Sequence, residues 1–243
     1  MRYAEWAPPS EVANLVEACW RVDGQVGHAL RVLADSCTDL IALDDRASRV
    51  LFVGPMTRAD LTRLQAPTTV GLRLRPGVYV DVAGTGAGLR ALRDRELVAA
   101  NPHPTDDAAA GLLAFLGDSA ERTHHHDLVD RLLALMRSRG PGRLADCYRE
   151  VGVSERTAQR LFDTYVGLTP RQCSRVLRHI GVGRRLRSGV DSIAELAAEH
   201  GYADQPHLTR DFGALAGIQP ARFVGESEDG GFVQDLLPEP GGP

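Results

Sequence analysis

Two short rows of polar residues carry side chains that can read DNA bases. Arginine binds guanine through two hydrogen bonds, and glutamine binds adenine in the same way. In both segments these residues lie opposite apolar residues that recur with helical spacing. The candidate base-reading residues are Arg156, Gln159 and Arg160 in the first segment, and Gln205, His207, Thr209 and Arg210 in the second.

The two segments belong to an internal repeat with an offset of 50 residues. The matching pairs are Ser154 and Asp204, Arg160 and Arg210, Phe162 and Phe212, Gly167 and Gly217, and Pro170 and Pro220. In each copy a short helix, about 143–150 or about 192–199, precedes a tight turn and then the N-cap Ser154 or Asp204. The repeat therefore predicts two helix-turn-helix units.

An arginine-rich segment at about 169–187 joins the two units. As a helix of roughly 19 residues it would be about 28 Å long. That length suits two recognition helices in successive major-groove turns, about 34 Å apart. Candidate phosphate contacts within it are Arg171, Arg175 and Arg178. Gly181 and Gly183 predict an interrupted or kinked helix, because each costs about 1 kcal/mol relative to alanine.

Charge is divided unevenly along the chain. All 28 cationic residues are arginine, which we attribute to codon bias, and the net charge is −4. Residues 1–136 sum to −4, residues 137–222 to +5 and residues 223–243 to −5. The positive segment contains both repeats. The Gly/Pro-rich acidic end, residues 225–243, is predicted to be disordered.

Composition excludes several classes of protein. With 43% hydrophobic and 25% charged residues, a globular chain of one large or two ordinary domains is expected. No apolar run approaches the roughly 18–20 residues of a membrane span. The start lacks a signal peptide's apolar core, and the four cysteines form no C-x-x-C pattern, so a reduced cytoplasm is expected. No catalytic, metal-binding or nucleotide-binding motif stands in a suitable context, so we expect a protein that is not an enzyme and has no cofactor.

The N-terminal part, residues 1–100, reads as a series of short strands about 8–12 residues apart. They predict a small antiparallel β-barrel-like domain for sensing or dimerisation. Gly84–Gly88 is expected to be a flexible loop. Residues 101–126 read as a helical linker in which His124–His126 form an exposed helix start, although a metal site is the alternative. Residues 127–224 hold the helix-turn-helix units.

A small barrel with inward polar groups suits an effector pocket. The candidate effector-binding residues are Trp20, His28, Cys37, Asp39, Arg73 and Arg75. Arg73 and Arg75 share one strand face and could grip a carboxylate, although outward-facing arginines are the commoner case. Cys19 and Cys37 could form a thiol sensor if they are close, whereas buried, inert cysteines are the simpler interpretation.

The C-terminal part resembles the AraC/XylS family of bacterial transcription regulators. The resemblance covers about 127–224 and rests on Gly201-Tyr202-Ala203-Asp204, Leu208-Thr209-Arg210-Asp211-Phe212, Gly217, Pro220 and Phe223, with a similar pattern in the first unit. More loosely, Leu33–Leu40, Phe52–Pro55 and Gly71–Gly77 resemble a domain that precedes this unit in a family subgroup. The departures are Pro206, Asp163 and Thr164, which should weaken DNA contact.

The resemblance implies an α+β chain with a cupin-related N-terminal domain, a helical connector and an all-α double helix-turn-helix domain. It implies sequence-specific binding to double-stranded promoter DNA, modulated by a small-molecule effector. RNA polymerase and a second copy of the chain are further candidate partners, whereas a membrane is not. Two alternatives stay open: a ligand, metal or thiol sensor that acts through protein–protein contacts with weak autonomous DNA binding, and a fused DNA-repair transferase that uses Cys37.

Overall fold

The fold joins an N-terminal antiparallel β domain to a C-terminal bundle of helices, as expected for an α+β chain. The computed structural model describes residues 1–80, 89–101, 104–121, 124–139, 143–190 and 192–228. The predicted Gly84–Gly88 loop and most of the predicted acidic tail, residues 229–243, lie outside the described residues. Within these ranges no helix is both long and apolar enough to cross a membrane.

Six strands form the main antiparallel sheet in the order β1-β2-β7-β4-β5-β9. Their bounds are Arg2–Trp6 (β1), Val16–Asp23 (β2), Asp39–Ala42 (β4), Arg49–Val53 (β5), Thr68–Leu74 (β7) and Glu96–Ala100 (β9). Two short ladders pair β3 (Ala29–Val32) with β6 (Asp60–Arg63), and β8 (Tyr79–Val80) with β10 (Ala120–Glu121). The predicted barrel does not close, because β1 and β9 end the sheet without pairing to each other among the described strands.

Each face of the main sheet is covered by a different element. Helix α1 (Ala108–Ser119) buries Leu112, Phe115 and Leu116 against one face, where the Phe52 and Phe115 rings meet edge to face at 5.6 Å. This helix is therefore part of the β domain, whereas the sequence suggested a linker there. On the other face, Leu30 of β3 and Leu64, the residue after β6, pack against Trp20 and Val22.

The remaining helices follow the predicted double helix-turn-helix arrangement. Their bounds are His124–Arg139 (α2), Leu144–Val151 (α3), Glu155–Tyr165 (α4), Pro170–Arg187 (α5), Ile193–Glu199 (α6), Gln205–Ala216 (α7) and Pro220–Glu228 (α8). The expectation that glycines interrupt the joining helix is wrong, because α5 is continuous over 18 residues. At Gly181 a Cβ atom would lie 2.9 Å from His200 Cε1, so the missing side chain permits close packing there.

The histidine run does begin a helix, but His126 is fully buried. Tyr165, at the end of α4, packs against the rings of both His125 and His126. The prediction of an exposed helix start was therefore wrong for His126, because α4 covers it. Within the described part of the chain, no three metal-binding side chains converge on one point.

The β domain contributes residues to both helix-turn-helix cores. Leu33 packs in the core of the second unit with Phe212 and Phe223. Ala34 and Cys37 pack in the core of the first unit. The segment that follows β3 therefore lies between the two units and is buried by both.

Candidate nucleic-acid interface and effector pocket

The first candidate recognition helix is α4. Ser154 caps it by accepting a hydrogen bond from Thr157 N at 3.1 Å, after the left-handed Gly152 has ended α3. One face buries the apolar residues Ala158, Leu161 and Phe162. The opposite face exposes Arg156, Gln159 and Arg160, so the three predicted base-reading side chains of this unit share one accessible surface.

The second candidate recognition helix is α7, which repeats this design. Asp204 accepts a hydrogen bond from His207 N at 2.6 Å, and Pro206 occupies the first turn, where its lack of an N–H is tolerated. Gln205 and Arg210 are exposed, while His207 and Thr209 are half-buried. The His207 ring meets the edge of the Tyr202 ring at 5.1 Å, so this predicted base reader is also a packing residue.

Two of the three predicted phosphate contacts instead attach α7 to α5. Arg175 Nε donates to Asp211 Oδ1 at 2.6 Å, and Arg178 Nη2 lies 3.5 Å from Asp211 Oδ2. The Arg178 guanidinium also lies 4.1 Å from the centre of the Tyr202 ring, and Tyr202 donates to Asp211 at 3.0 Å. Arg171 is exposed. Sequence reasoning missed Asp211, because only the tertiary fold brings it to these arginines.

A groove of about 840 Å³ runs between the two units. It brings together predicted residues from three helices, namely Gln159 of α4, Arg171, Arg175 and Arg178 of α5, and His207 of α7. One residue of the predicted row on α4, three of the joining helix and one at the start of α7 therefore border the same groove.

The β domain holds the C-terminal end of α4. Arg93 Nε donates to Gly167 O at 2.6 Å, and both Arg90 and Arg93 form ion pairs with Asp163, at 2.8 and 3.3 Å. Gly167 has φ +75°, and a Cβ atom there would lie 2.7 Å from Leu89 O. Asp163, which departs from the family pattern, is thus a partner of the β domain.

The β domain holds the equivalent end of α7 as well. Arg31 Nη1 donates to Ala216 O at 3.2 Å, and Ala59 N donates to Leu215 O at 2.6 Å. Gly217, the repeat equivalent of Gly167, has φ +70°, and a Cβ atom there would lie 2.9 Å from Arg31 Nη1. Cationic groups at helix C-terminal carbonyls are favourable. We call these two sets of contacts the domain interface. In the sequence, the duplicated glycines Gly167 and Gly217 marked the positions of these contacts.

Three of the six predicted effector-binding residues line one cavity of the β domain. Trp20, Asp39 and Arg73 border a space of about 130 Å³ between the main sheet and the β3–β6 ladder. Trp20 Nε1 donates to Asp39 Oδ1 at 2.7 Å, and Arg73 pairs with Glu5 at 3.1 Å. Burial raises the pKa of Asp39, against the opposing effects of the Arg73 charge and the Trp20 hydrogen bond.

The other three predicted effector residues lie elsewhere. Strand β7 ends at Leu74, so Arg75 is exposed outside it and donates to Ala13 O at 2.7 Å. A paired-arginine grip on a carboxylate is therefore not formed. His28 is exposed before β3.

Cys37 is buried in the first helix-turn-helix core, whereas Cys19 belongs to the core under α1. The structure therefore does not assemble a thiol pair. Burial and the nearby Asp35 carboxylate raise the pKa of Cys37 well above its usual range, which disfavours a nucleophilic thiolate.

The apolar part of the cavity lining was missed by sequence reasoning. Ile41, Leu51 and Val53 lie on neighbouring strands β4 and β5, and Met56 follows β5. Their alternation with the buried Leu40 and Phe52 was a usable signal, because alternate residues of a strand face opposite sides of a sheet.

The two family matches agree with this division into two parts. Residues 147–225 match a family described as a helix-turn-helix domain. The chain carries an AraC-type helix-turn-helix domain. Chains with an AraC-type domain are DNA-binding transcription regulators, and this one is of that class. Residues 4–96, which precede the AraC-type domain, match a domain of unknown function, DUF6597. No curated protein matches the chain.

Solved structures offer more distant similarities. A transcriptional regulator from Chromobacterium violaceum with an AraC-type DNA-binding domain is 23% identical, with a TM-score of 0.41, over 43% of this chain and 96% of its own. ToxT from Vibrio cholerae is 13% identical, with a TM-score of 0.47, over 85% of this chain and 96% of its own.

Proposed function

We propose that the chain reads a promoter site by inserting α4 and α7 into successive major-groove turns on one face of the DNA. The observation that carries this proposal is the pair of exposed polar rows on repeated helices, joined by the continuous helix α5. With 18 residues, α5 is about 27 Å long. That length is comparable to the roughly 34 Å between successive major-groove turns.

The exposed side chains divide into two roles. Arg156, Arg160 and Arg210 are suited to guanine, and Gln159 and Gln205 to adenine. His207 and Thr209 lie beside them on α7 and complete the proposed base-reading set. Arg171 is suited to phosphate, which carries no sequence information but fixes register.

In this proposal Arg175 and Arg178 also help to fix the register, but they do so without contacting the DNA. Through Asp211 they keep α7 fixed on α5, and thus keep the second reading helix in register with the first.

Regulation by a small molecule is assigned to the β domain. Its domain interface touches the ends of both reading helices, so a ligand that shifts the β domain changes the relative placement of α4 and α7. The cavity and the second helix-turn-helix core are connected by adjacent residues of the chain. Val32 lines the cavity, and the next residue, Leu33, is buried in the second helix-turn-helix core.

The replacement Arg160→Ala tests base reading. We expect affinity for the specific site to fall by about 1–3 kcal/mol, because a bidentate base contact is lost, while affinity for unrelated DNA changes much less. Binding is measured by fluorescence anisotropy at fixed salt, after genome-wide mapping of bound sites. Arg63→Ala, which removes the same charge from the exposed strand β6, is the control. Equal losses in both variants, or none in either, would contradict the assignment.

A second candidate function is a sensor that acts through protein–protein contacts and binds DNA only weakly by itself. The engagement of Arg175 and Arg178 by Asp211 favours it, because fewer arginines are left for phosphates. The two candidates differ in a simple measurement. Nanomolar, sequence-specific binding by the purified protein alone excludes the sensor, whereas salt-sensitive binding of equal strength to all sequences excludes base reading.

A further inference from the structure

Arg73, which lines the polar end of the β-domain cavity, has a buried nitrogen that lacks a hydrogen-bond partner within the described part of the chain. Arg73 is 1% exposed, and its Nη1 and Nη2 donate to Glu5 and to the Tyr3 hydroxyl. Its Nε has no hydrogen-bond partner among the described residues. Asp39 Oδ1 lies 3.9 Å from this Nε, which is too far for a direct hydrogen bond.

This geometry selects one kind of ligand group. A carboxylate only accepts hydrogen bonds, and an ammonium only donates them. A hydroxyl or a primary amide does both, so it can accept from Arg73 Nε and donate to Asp39. A carboxylate would also lie beside Asp39 and Glu5, which already offset the Arg73 charge. An ammonium could pair with Asp60 or Glu96, which also line the cavity, but it offers no acceptor to Arg73 Nε and is repelled by the guanidinium.

The rest of the cavity selects an apolar body of limited size. Val32, Ile41, Leu51, Val53 and Met56 provide aliphatic or thioether walls, and the remaining lining residues are the polar Asp60, Thr62 and Glu96. The volume of about 130 Å³ is close to that of apolar protein cavities, about 150 Å³, that bind benzene.

We propose that this cavity binds a small neutral molecule with an apolar body about the size of benzene and one hydroxyl or amide group. The inference deepens the proposed function, because it rests on the β domain being the sensing part of the regulator. It also replaces the carboxylate ligand that the sequence suggested from Arg73 and Arg75.

The experiment compares four probes of one shape on the full chain by titration calorimetry without DNA. The probes are benzyl alcohol, benzoate, benzylammonium and toluene. We expect benzyl alcohol to bind at least 10-fold more tightly than each of the others. Tighter binding of either ion, equal binding of toluene, or no binding of any probe at millimolar concentration would overturn the proposal.

A matched pair of variants places the binding site. Val53→Phe fills the cavity and should abolish benzyl alcohol binding, whereas Val98→Phe adds the same bulk at an exposed position of β9 and should leave it unchanged. Thermal unfolding of both variants checks that each is folded. If Val53→Phe does not fold, Ile41→Phe serves instead. Retained binding in a folded, cavity-filled variant would overturn the proposal. Because no DNA is present, these results are independent of the base-reading test.

Discussion

The domain interface can be tested through three glycines that share one backbone conformation. Gly152, Gly167 and Gly217 have φ of +79°, +75° and +70°, so alanine at each costs about 1–2 kcal/mol from the left-handed backbone alone. They differ in their surroundings. At Gly152 a Cβ atom would have no neighbour within 4 Å. At Gly217 it would lie 2.9 Å from Arg31 Nη1. At Gly167 it would lie 2.7 Å from both Leu89 O and Pro55 Cγ.

The expected order of destabilisation follows from what each new methyl group must displace. Gly152→Ala should lower the free energy of unfolding by about 1–2 kcal/mol, which is the backbone cost alone. Gly217→Ala should cost slightly more, because the end of the Arg31 side chain can move aside. Gly167→Ala should cost about 1–3 kcal/mol more than Gly152→Ala, because the atoms that it meets belong to backbone and a proline ring.

Urea unfolding of the full chain gives the three free energies, with Gly152→Ala as the matched control. Trypsin cleaves after arginine, so its rate at Arg90 and Arg93 reports separately on loss of the domain interface. We expect faster cleavage there only in Gly167→Ala. Equal destabilisation of Gly152→Ala and Gly167→Ala, with unchanged cleavage, would refute the close approach of the two domains at this turn.

Three further perturbations test the interior. His179 is buried, and neither of its ring nitrogens has a hydrogen-bond partner among the residues that the structure describes. Burial lowers its pKa to about 4, despite the opposing charge of Asp211. As the pH falls, the unfolded chain therefore binds the proton before the folded chain does, and the free energy of unfolding should fall by about 3 kcal/mol between pH 6.5 and pH 4. The urea midpoint should depend on pH more steeply in the wild type than in His179→Leu. Parallel pH dependences of the two proteins would contradict this prediction. Asp211→Asn should cost about 1–3 kcal/mol in thermal unfolding and weaken specific DNA binding, because Arg175 and Arg178 lose their carboxylate. Asp163→Asn in the full chain is the comparison, because it removes a carboxylate that pairs with the β domain and leaves the contact between α5 and α7 intact. An Asp211→Asn variant that binds DNA as the parent does would refute the register role. In Gly71→Ala, the new Cβ atom would overlap the Trp20 ring at Cζ2, so we expect a loss of about 1–3 kcal/mol in urea unfolding. A variant as stable as the parent would contradict this packing.

Local signals predicted much of the helical part. The caps Ser154 and Asp204 act within three residues of themselves, and the apolar spacing of α4 decides which of its faces is buried. Such features depend on neighbours along the chain, so they can be read from it. The exposed rows of the two candidate recognition helices were predicted for the same reason.

Long-range contacts could not be predicted in this way. Arg73 and Arg75 look equivalent along the chain, yet one is buried with Glu5 and the other is exposed, because β7 ends between them. Asp163 and Asp211 likewise gain their roles from arginines about 70 and 36 residues away. Continuity of α5 through Gly181 also follows from tertiary packing, which outweighs helix propensity.

The β domain contacts the recognition helices largely through main-chain atoms. Arg93 and Arg31 bind the carbonyl groups of Gly167 and Ala216, and Ala59 binds that of Leu215. A carbonyl group is present whatever the side chain, and none of these residues belongs to an exposed row. If the proposed function holds, substitutions in those rows change the DNA sequence that is bound and leave these contacts in place. Chains with different exposed rows can then share the same attachment of the β domain.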